Sequence, residues 1–281
     1  MNKKLLFLKN KEKDKNIEKD KNIETDKNIE KVKNIEEAKN IEDINFLYYL
    51  PAIGEKNLKE KLEILEKNLY FLYKQINKKI SLIINCYDSF DLIKVFVAKI
   101  DFIDFFIYNK KGILTELWLT NPNNIIISKF DYILFILDDV ELIDYNLEEM
   151  IKVKKENDIS ILSPKVINAT FSYMNENNNE LKFSDKNELF CYLLTPKDFN
   201  KYASINSIEN KYMWGVDMVF GHFNIKTAIY HKYEVKHYFK KSNRKEATKE
   251  MINYFKNIGF SYNSSNSNIQ NSKRLLLINI K

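Results

Sequence analysis

Glycine is scarce in this chain, with five residues in 281, alongside four prolines, two cysteines and three histidines. Each scarcity removes a class of chemistry. Phosphate-cradling loops of the P-loop or dinucleotide-binding kind need closely spaced glycines, and no such run occurs. Cys86 and Cys191 lie far apart in apolar surroundings, so they read as buried reduced thiols and not as a disulfide framework. No Cys/His zinc spacing forms, and no Gly-x-Ser-x-Gly nucleophile elbow is present. No run of 18 apolar residues occurs, so no transmembrane helix is expected. The apolar stretch at residues 5–8 is too short for a signal-peptide core. The expectation is a soluble, cytoplasmic protein. Net charge is only +6, from 45 basic and 39 acidic residues of interspersed sign, which argues against a nucleic-acid partner.

The chain is rich in other respects: 44% of it is hydrophobic and 14% aromatic, enough for one large domain with a substantial core. Residues 1–45 stand apart. "KNIE" recurs there at Lys15, Lys21, Lys27, Lys33 and Lys39, each copy advancing roughly 600° around a helix, so the isoleucines fall on three faces in turn. Without an apolar stripe this tail has nothing to fold against, and a disordered segment or lone helix is expected. Residues 46–260 form the expected domain, and 261–281 a Ser/Asn-rich linker with a terminal strand, "RLLLINIK".

From Asn57 to Ile76, Leu58, Leu62, Leu65, Leu69, Leu72 and Ile76 recur at helical spacing. Buried strands are expected in "KISLIINCYD" (79–88), "DFIDFFIYNKKG" (101–112), "DYILFILDD" (131–139) and "DISILSPKV" (158–166), with "NLEEMIKVKKEN" as a helix between the last two. Strands alternating with helices predict an α/β fold with a mostly parallel central sheet flanked by helices. In such sheets ligands bind beyond the carboxyl ends of the strands. Further on, a strand and then a helix from Pro196 are expected, "KYMWGVDMVFGH" as a loop leading into a helix, a short strand within "AIYHKYEVKHYFKK", and a last helix ending near Gly259.

The chemistry concentrates in "DYILFILDDVEL". An apolar strand runs into Asp138, Asp139 and Glu141. Carboxylates this close repel one another unless a cation or donors compensate, and an all-oxygen cluster suits a hard divalent ion, Mg²⁺ or Mn²⁺. In an extended chain Asp139 and Glu141 share one side and Asp138 takes the other. The alternative is that these acids merely favour the N-terminus of the following helix. A haloacid-dehalogenase-type phosphatase is a poor match, because the Asp-x-Asp-x-Thr/Val order is absent.

"ILDDVE" resembles the acidic metal motif of GT-A type glycosyltransferases, which hold a nucleoside-diphosphate sugar through a divalent cation. "KISLIINCYD" is similar to their opening strand. "LSPKV", "YLLTPKDFNKYA", "ENKYMWGVDMVFGH" and "AIYHKYEVKHYFKK" follow in the order of a subgroup with a Trp-Gly-x-Asp motif and a late His, which includes viral capsid-glycan transferases. The resemblance spans about residues 79–241 and implies the GT-A fold and transfer of a sugar to a hydroxyl acceptor on a glycan or protein glycan. It implies Asp139 and Glu141 as metal ligands, or Asp138 with Asp139 in the slipped register, and His237 as a further ligand. Glu141 departs from the family's usual second Asp. Asp217 would be the general base, and Trp214 would line the sugar or acceptor pocket. Lys240 and Lys241 would counter the diphosphate. Asn85, Asp88 and Asp138 would lie toward the nucleotide. His231 and His222 are competing ligand candidates. A non-catalytic GT-A-like scaffold, with the acidic cluster as a relic, is the rival expectation.

Overall fold

Strand β1 (Phe46–Ile53), "FLYYLPAI", runs through the sheet interior. Its side chains alternate between two cores, Tyr48 and Leu50 entering one and Leu47 and Tyr49 the other. Burial on both faces explains its continuous apolar run. Pro51 is accommodated where the ladder to the next strand shifts register between Leu50 and Ile53. This strand was not expected from the sequence. It, and not "KISLIINC", opens the sheet.

The computed structural model describes residues 41–119, 127–178, 180–238, 244–263 and 268–271. The described residues all belong to one compact unit. The first four "KNIE" repeats, the terminal "RLLLINIK", Lys240 and Lys241 lie outside the described residues. After β1 come α1 (Leu58–Ile76), β2 (Ile80–Cys86), α2 (Phe90–Val97), β3 (Ile103–Asn109), α3 (Leu114–Leu119), β4 (Tyr132–Ile136) and β5 (Val140–Asp144). Then follow α4 (Leu147–Glu156), β6 (Ile161–Ile167), β7 (Leu181–Ser184), β8 (Cys191–Leu194), α5 (Pro196–Ser204), β9 (Thr227–His237) and α6 (Arg244–Asn257). A β10 (Phe260–Asn263)–β11 (Asn268–Asn271) hairpin occupies the stretch expected as a linker.

The nine-stranded sheet has the order β3-β2-β1-β4-β8-β6-β9-β5, with β7 also on β9. Pairing is parallel across β3-β2-β1-β4 and again between β6 and β9, while β5, β7 and β8 join antiparallel. One core lies under α1, α2 and α4, through Leu65, Leu69, Ile93 and Met150. The other lies under α3, α5 and α6, through Trp118, Phe199, Tyr202 and Phe255. The result is helices on both faces of one sheet.

Two features of this frame aim the acidic segment. First, β9 is long enough to serve three neighbours. Its residues 227–230 pair with β7 and its residues 234–237 with β5, while β6 runs along the other side. Second, the outer edge of β5 is held by polar side chains of α1. Asn68, set within the leucine stripe, donates to the Val140 carbonyl at 2.8 Å and accepts from the Leu142 N–H at 2.8 Å. Gln75 donates to the Tyr145 carbonyl at 2.7 Å and accepts from Leu147 N–H at 2.8 Å. Asn68 replaces ladder partners that an edge strand lacks, and Gln75 satisfies the backbone where β5 leads into α4.

Candidate active site

Strand β4 ends at Ile136, and the chain turns through Asp138 and Asp139 before β5 begins at Val140. That turn sends the three carboxylates in different directions. Asp138 meets the Lys61 ammonium of α1 at 2.6 Å, with both side chains largely buried. Burial pushes the Asp138 carboxyl up to about 6; Lys61 opposes this and the charge of Asp139 adds to it. For Lys61, burial pulls the ammonium down, but the Asp138 carboxylate outweighs it and leaves the group above its usual value. Asp139 Oδ2 lies 3.2 Å from His237 Nε2, at the end of β9. Its other oxygen, Oδ1, is buried without a hydrogen-bond partner. Glu141 turns away, accepting from the Tyr238 hydroxyl at 2.6 Å and meeting Lys67 at 3.4 Å. The expected pairing of Asp139 with Glu141 rested on an unbroken extended chain. The turn breaks that alternation, and His237 is the side chain beside Asp139.

His237 is fixed from several sides. Its Nδ1 faces the Asn168 carbonyl at 3.5 Å, and Asn168 Nδ2 donates back to the His237 carbonyl at 3.1 Å. The Phe190 ring packs against the imidazole with centroids 4.7 Å apart. Tyr238 N–H donates to the Asp139 carbonyl at 3.0 Å, tying the end of β9 to the turn.

Beside this pair opens a cavity of about 810 Å³ at the carboxyl ends of β4, β6 and β9. His237, Trp214 and Asp217 all line it. The segment expected to lead into a helix instead makes two 3-10 turns, Val216–Met218 and Phe220–Phe223. Gly215 holds φ at +84°, and a Cβ there would lie 2.6 Å from the Phe255 ring of α6. Only glycine allows Trp214 and Asp217 to reach the cavity from so tight a bend. Asp217 also shares a neighbourhood with Tyr173, Tyr192, Tyr202 and Tyr254: burial raises each of these phenols first, and the carboxylate raises them further.

Other expected residues lie elsewhere. Asn85 is wholly buried and donates to the Tyr49 hydroxyl at 3.0 Å, so it does not reach the cavity. Asp88 accepts from Glu55 N–H, closing the loops that follow β1 and β2. His231 is buried with its ring nitrogens on the Glu180 and Tyr173 carbonyls, and His222 packs on Phe223 and Phe260. Lys240 is not among the described residues. Sequence reading missed three contributors. Lys61 sits on the buried face of an amphipathic helix, Asn168 follows β6, and Glu188 precedes β8. Glu188 is 4% exposed, lines the cavity, and accepts from Thr170 and Phe171 N–H at 3.0 Å each. No spacing in the sequence singles these residues out.

Asp139 and His237 form an oxygen–nitrogen donor pair with an unsatisfied buried oxygen, which fits a Mn²⁺- or Mg²⁺-class ion completed by phosphate and water. Among the described residues no group of three His, Cys, Asp or Glu side chains gathers for a metal.

Helices on both faces of a large, partly parallel sheet, together with likeness to a solved glycosyltransferase structure, make this the GT-A fold. No family model and no curated protein matches the sequence. Among solved structures, it is similar to the crystal structure of GalNAc-T7 with UDP, GalNAc and Mn²⁺. The TM-score is 0.55 at 7% identity, over 76% of this chain and 48% of that one. S. aureus TarS matches with TM-score 0.48 at 10% identity, over 76% of this chain and 40% of that one. The chain thus spans about half or less of the length of either neighbour.

Proposed function

We propose that the chain is a metal-dependent glycosyltransferase that moves a sugar from a nucleoside-diphosphate sugar to a hydroxyl acceptor. The observation that carries this reading is the Asp139–His237 pair at the rim of a cavity whose other wall bears Trp214 and Asp217. The neighbour crystallised with UDP, GalNAc and Mn²⁺ shares the fold and adds support.

In this reading Asp139 and His237 would hold Mn²⁺ or Mg²⁺, which would supply positive charge to compensate the nucleoside diphosphate. Asp217 accepts the proton of the acceptor hydroxyl as its oxygen bonds to the anomeric carbon. The bond from that carbon to the diphosphate oxygen breaks, and its electron pair leaves with the nucleotide. Such direct attack inverts the anomeric centre. Trp214 offers its ring to a sugar face. Lys61 neutralises Asp138, which leaves Asp139, beside His237, as the carboxylate of the turn that an ion would meet. Lys240 remains proposed as a diphosphate contact and Asp88 as a nucleotide contact. The Trp-Gly-x-Asp segment would place the enzyme with the capsid-glycan transferases, acting on a glycan or protein glycan in the cytoplasm.

The rival is a non-catalytic GT-A-like scaffold, and the small protein donor set at the metal pair is the observation in its favour. Titrating UDP- and GDP-sugars with and without Mn²⁺, while following the melting temperature, separates the two. The enzyme gains stability from at least one nucleotide sugar only when Mn²⁺ is present, and the scaffold gains none. Asp139→Asn and Asp217→Asn should each abolish turnover while holding the melting temperature within a few degrees. Collapse of either variant would assign these acids to the fold.

A further inference from the structure

Glu188 is a buried carboxylate with no part in the reaction as written above, and its contacts lead to the metal pair. Its Oε2 accepts from both Thr170 N–H and Phe171 N–H at 3.0 Å. Those amides belong to the loop that leaves β6, and two residues before them stands Asn168, held at φ +67°. Asn168 presents its carbonyl to His237 Nδ1 and donates its side-chain amide to the His237 carbonyl. Two residues after Glu188, Phe190 packs its ring on His237 and accepts from Leu137 N–H at 3.0 Å, one residue before Asp138. The segment 188–190 therefore touches both halves of the metal pair. On one side it pins the loop that orients the imidazole, and on the other it pins the turn that carries Asp139.

We propose that Glu188 is a positioning residue that sets the orientation of His237 by clamping the 168–171 loop through two backbone amides. The proposal rests on the reading of Asp139 and His237 as a metal pair. The physical demand is plain. A ligating imidazole needs its second nitrogen held, so that Nε2 keeps its lone pair toward the ion while Nδ1–H donates to an acceptor. Here that acceptor is the Asn168 carbonyl, in a left-handed conformation that a free loop would not maintain for long. One side-chain oxygen accepting from two neighbouring N–H groups holds the loop at both amides. The same two bonds leave Glu188 acting through Asn168, not on the ion.

The chain contains three histidines, so the ring nitrogens of His237 can be assigned in a ¹⁵N spectrum of the whole protein. Without metal, Glu188→Ala should alter the His237 tautomer signature, whereas Glu188→Gln, whose side-chain carbonyl can accept the same two N–H groups, should keep it. With Mn²⁺ followed by electron paramagnetic resonance, Glu188→Ala should weaken affinity 10–100-fold, the range seen when a partner of a metal ligand is removed, and Glu188→Gln should stay within a few fold of wild type. Asn168→Gly keeps the left-handed backbone at an exposed position and removes the side-chain link. It should reproduce part of the loss, and combined with Glu188→Ala it should add little, because both act along one chain of contacts. This variant keeps the test decisive if Glu188→Ala does not fold.

An unchanged His237 signature in both Glu188→Ala and Asn168→Gly would overturn the proposal. So would a Glu188→Gln variant as impaired in Mn²⁺ binding as the alanine, which would make the charge itself the active element. If the wild-type chain takes up no Mn²⁺, the metal reading fails, while the ring signature still decides whether Glu188 governs His237.

Discussion

Gly215 shows how a single residue can govern the site. Its φ of +84° and the 2.6 Å approach of the Phe255 ring leave no room for a side chain. Gly215→Ala should lower stability by about 1–3 kcal/mol through overpacking and backbone strain. It should also weaken binding of any ligand that uses Trp214, because the methyl group forces the 213–217 bend away from α6. Urea unfolding gives the first quantity, and quenching of tryptophan fluorescence on ligand titration gives the second. At this scale the sequence was only partly legible. Asp139 could be singled out as a carboxylate at a strand end, and His237, Trp214 and Asp217 through the family resemblance; the last three line the cavity, and Asp139 meets His237 beside it. Glu141 was assigned by strand alternation, which requires extended backbone, and the turn at Asp138–Asp139 invalidates that step. Asn85 was expected toward the nucleotide, yet it lies buried within β2 with the Tyr49 hydroxyl as its partner. Glu188 could not be found, since its role depends on which backbone amides folding places beside it.

Elements are tied together by polar groups set into apolar surfaces, and α1 with β5 is the clearest instance. The leucine spacing of α1 was legible from periodicity alone, but Asn68 within that stripe reads in sequence as an interruption. In the fold it supplies donor and acceptor to β5 and also donates to the Tyr48 hydroxyl at 3.1 Å. Asn68→Leu should therefore destabilise the protein despite adding apolar surface, by about 1–3 kcal/mol for each buried group left without a partner. A Leu69→Ala change one position away costs about 2–5 kcal/mol by another route, the loss of packing. Hydrogen exchange distinguishes the two. Asn68→Leu should selectively expose the Leu142 amide, whereas Leu69→Ala should lower protection across the whole core. β1 and β5 escaped sequence reading for related reasons. Pro51 discourages assignment of an interior strand, and β5 carries too mixed a pattern to be told from a helix start. Only the sheet supplies the bulge that accepts the one and the partners that straighten the other.

At the scale of the whole molecule, stability against pH reports how helix α4 is joined to the sheet. Glu149 on α4 accepts from the Tyr230 hydroxyl at 2.7 Å, from Lys232 at 2.7 Å on both oxygens, and from the Tyr233 hydroxyl. These partners occupy the part of β9 where its register with β6 shifts, so one carboxylate anchors the irregular middle of the longest strand. Hydrogen bonding from Lys232 and then Tyr233 lowers the Glu149 carboxyl from 4.5 to about 2, against the opposing effect of burial. A carboxyl that is more acidic in the folded state stabilises the fold at pH above its unfolded value. That stabilisation is complete above about pH 5 and drains away as pH falls toward 2. Asp138 has the opposite sign. Its carboxyl is raised from 3.8 to about 6, so its contribution is present at low pH and is lost as pH rises through 6. The full pH curve mixes these two effects, and the comparison with Glu149→Gln separates them. Wild type should exceed the variant most at pH 6–7, and the gap in unfolding free energy should close steadily between pH 5 and pH 2. High salt should shrink the Lys232 share of that gap and leave the tyrosine share, because screening acts on the ion pair and not on the hydroxyl donors. A gap that stays constant from pH 7 to pH 2 would mean that the Glu149 charge is not what holds α4 to β9.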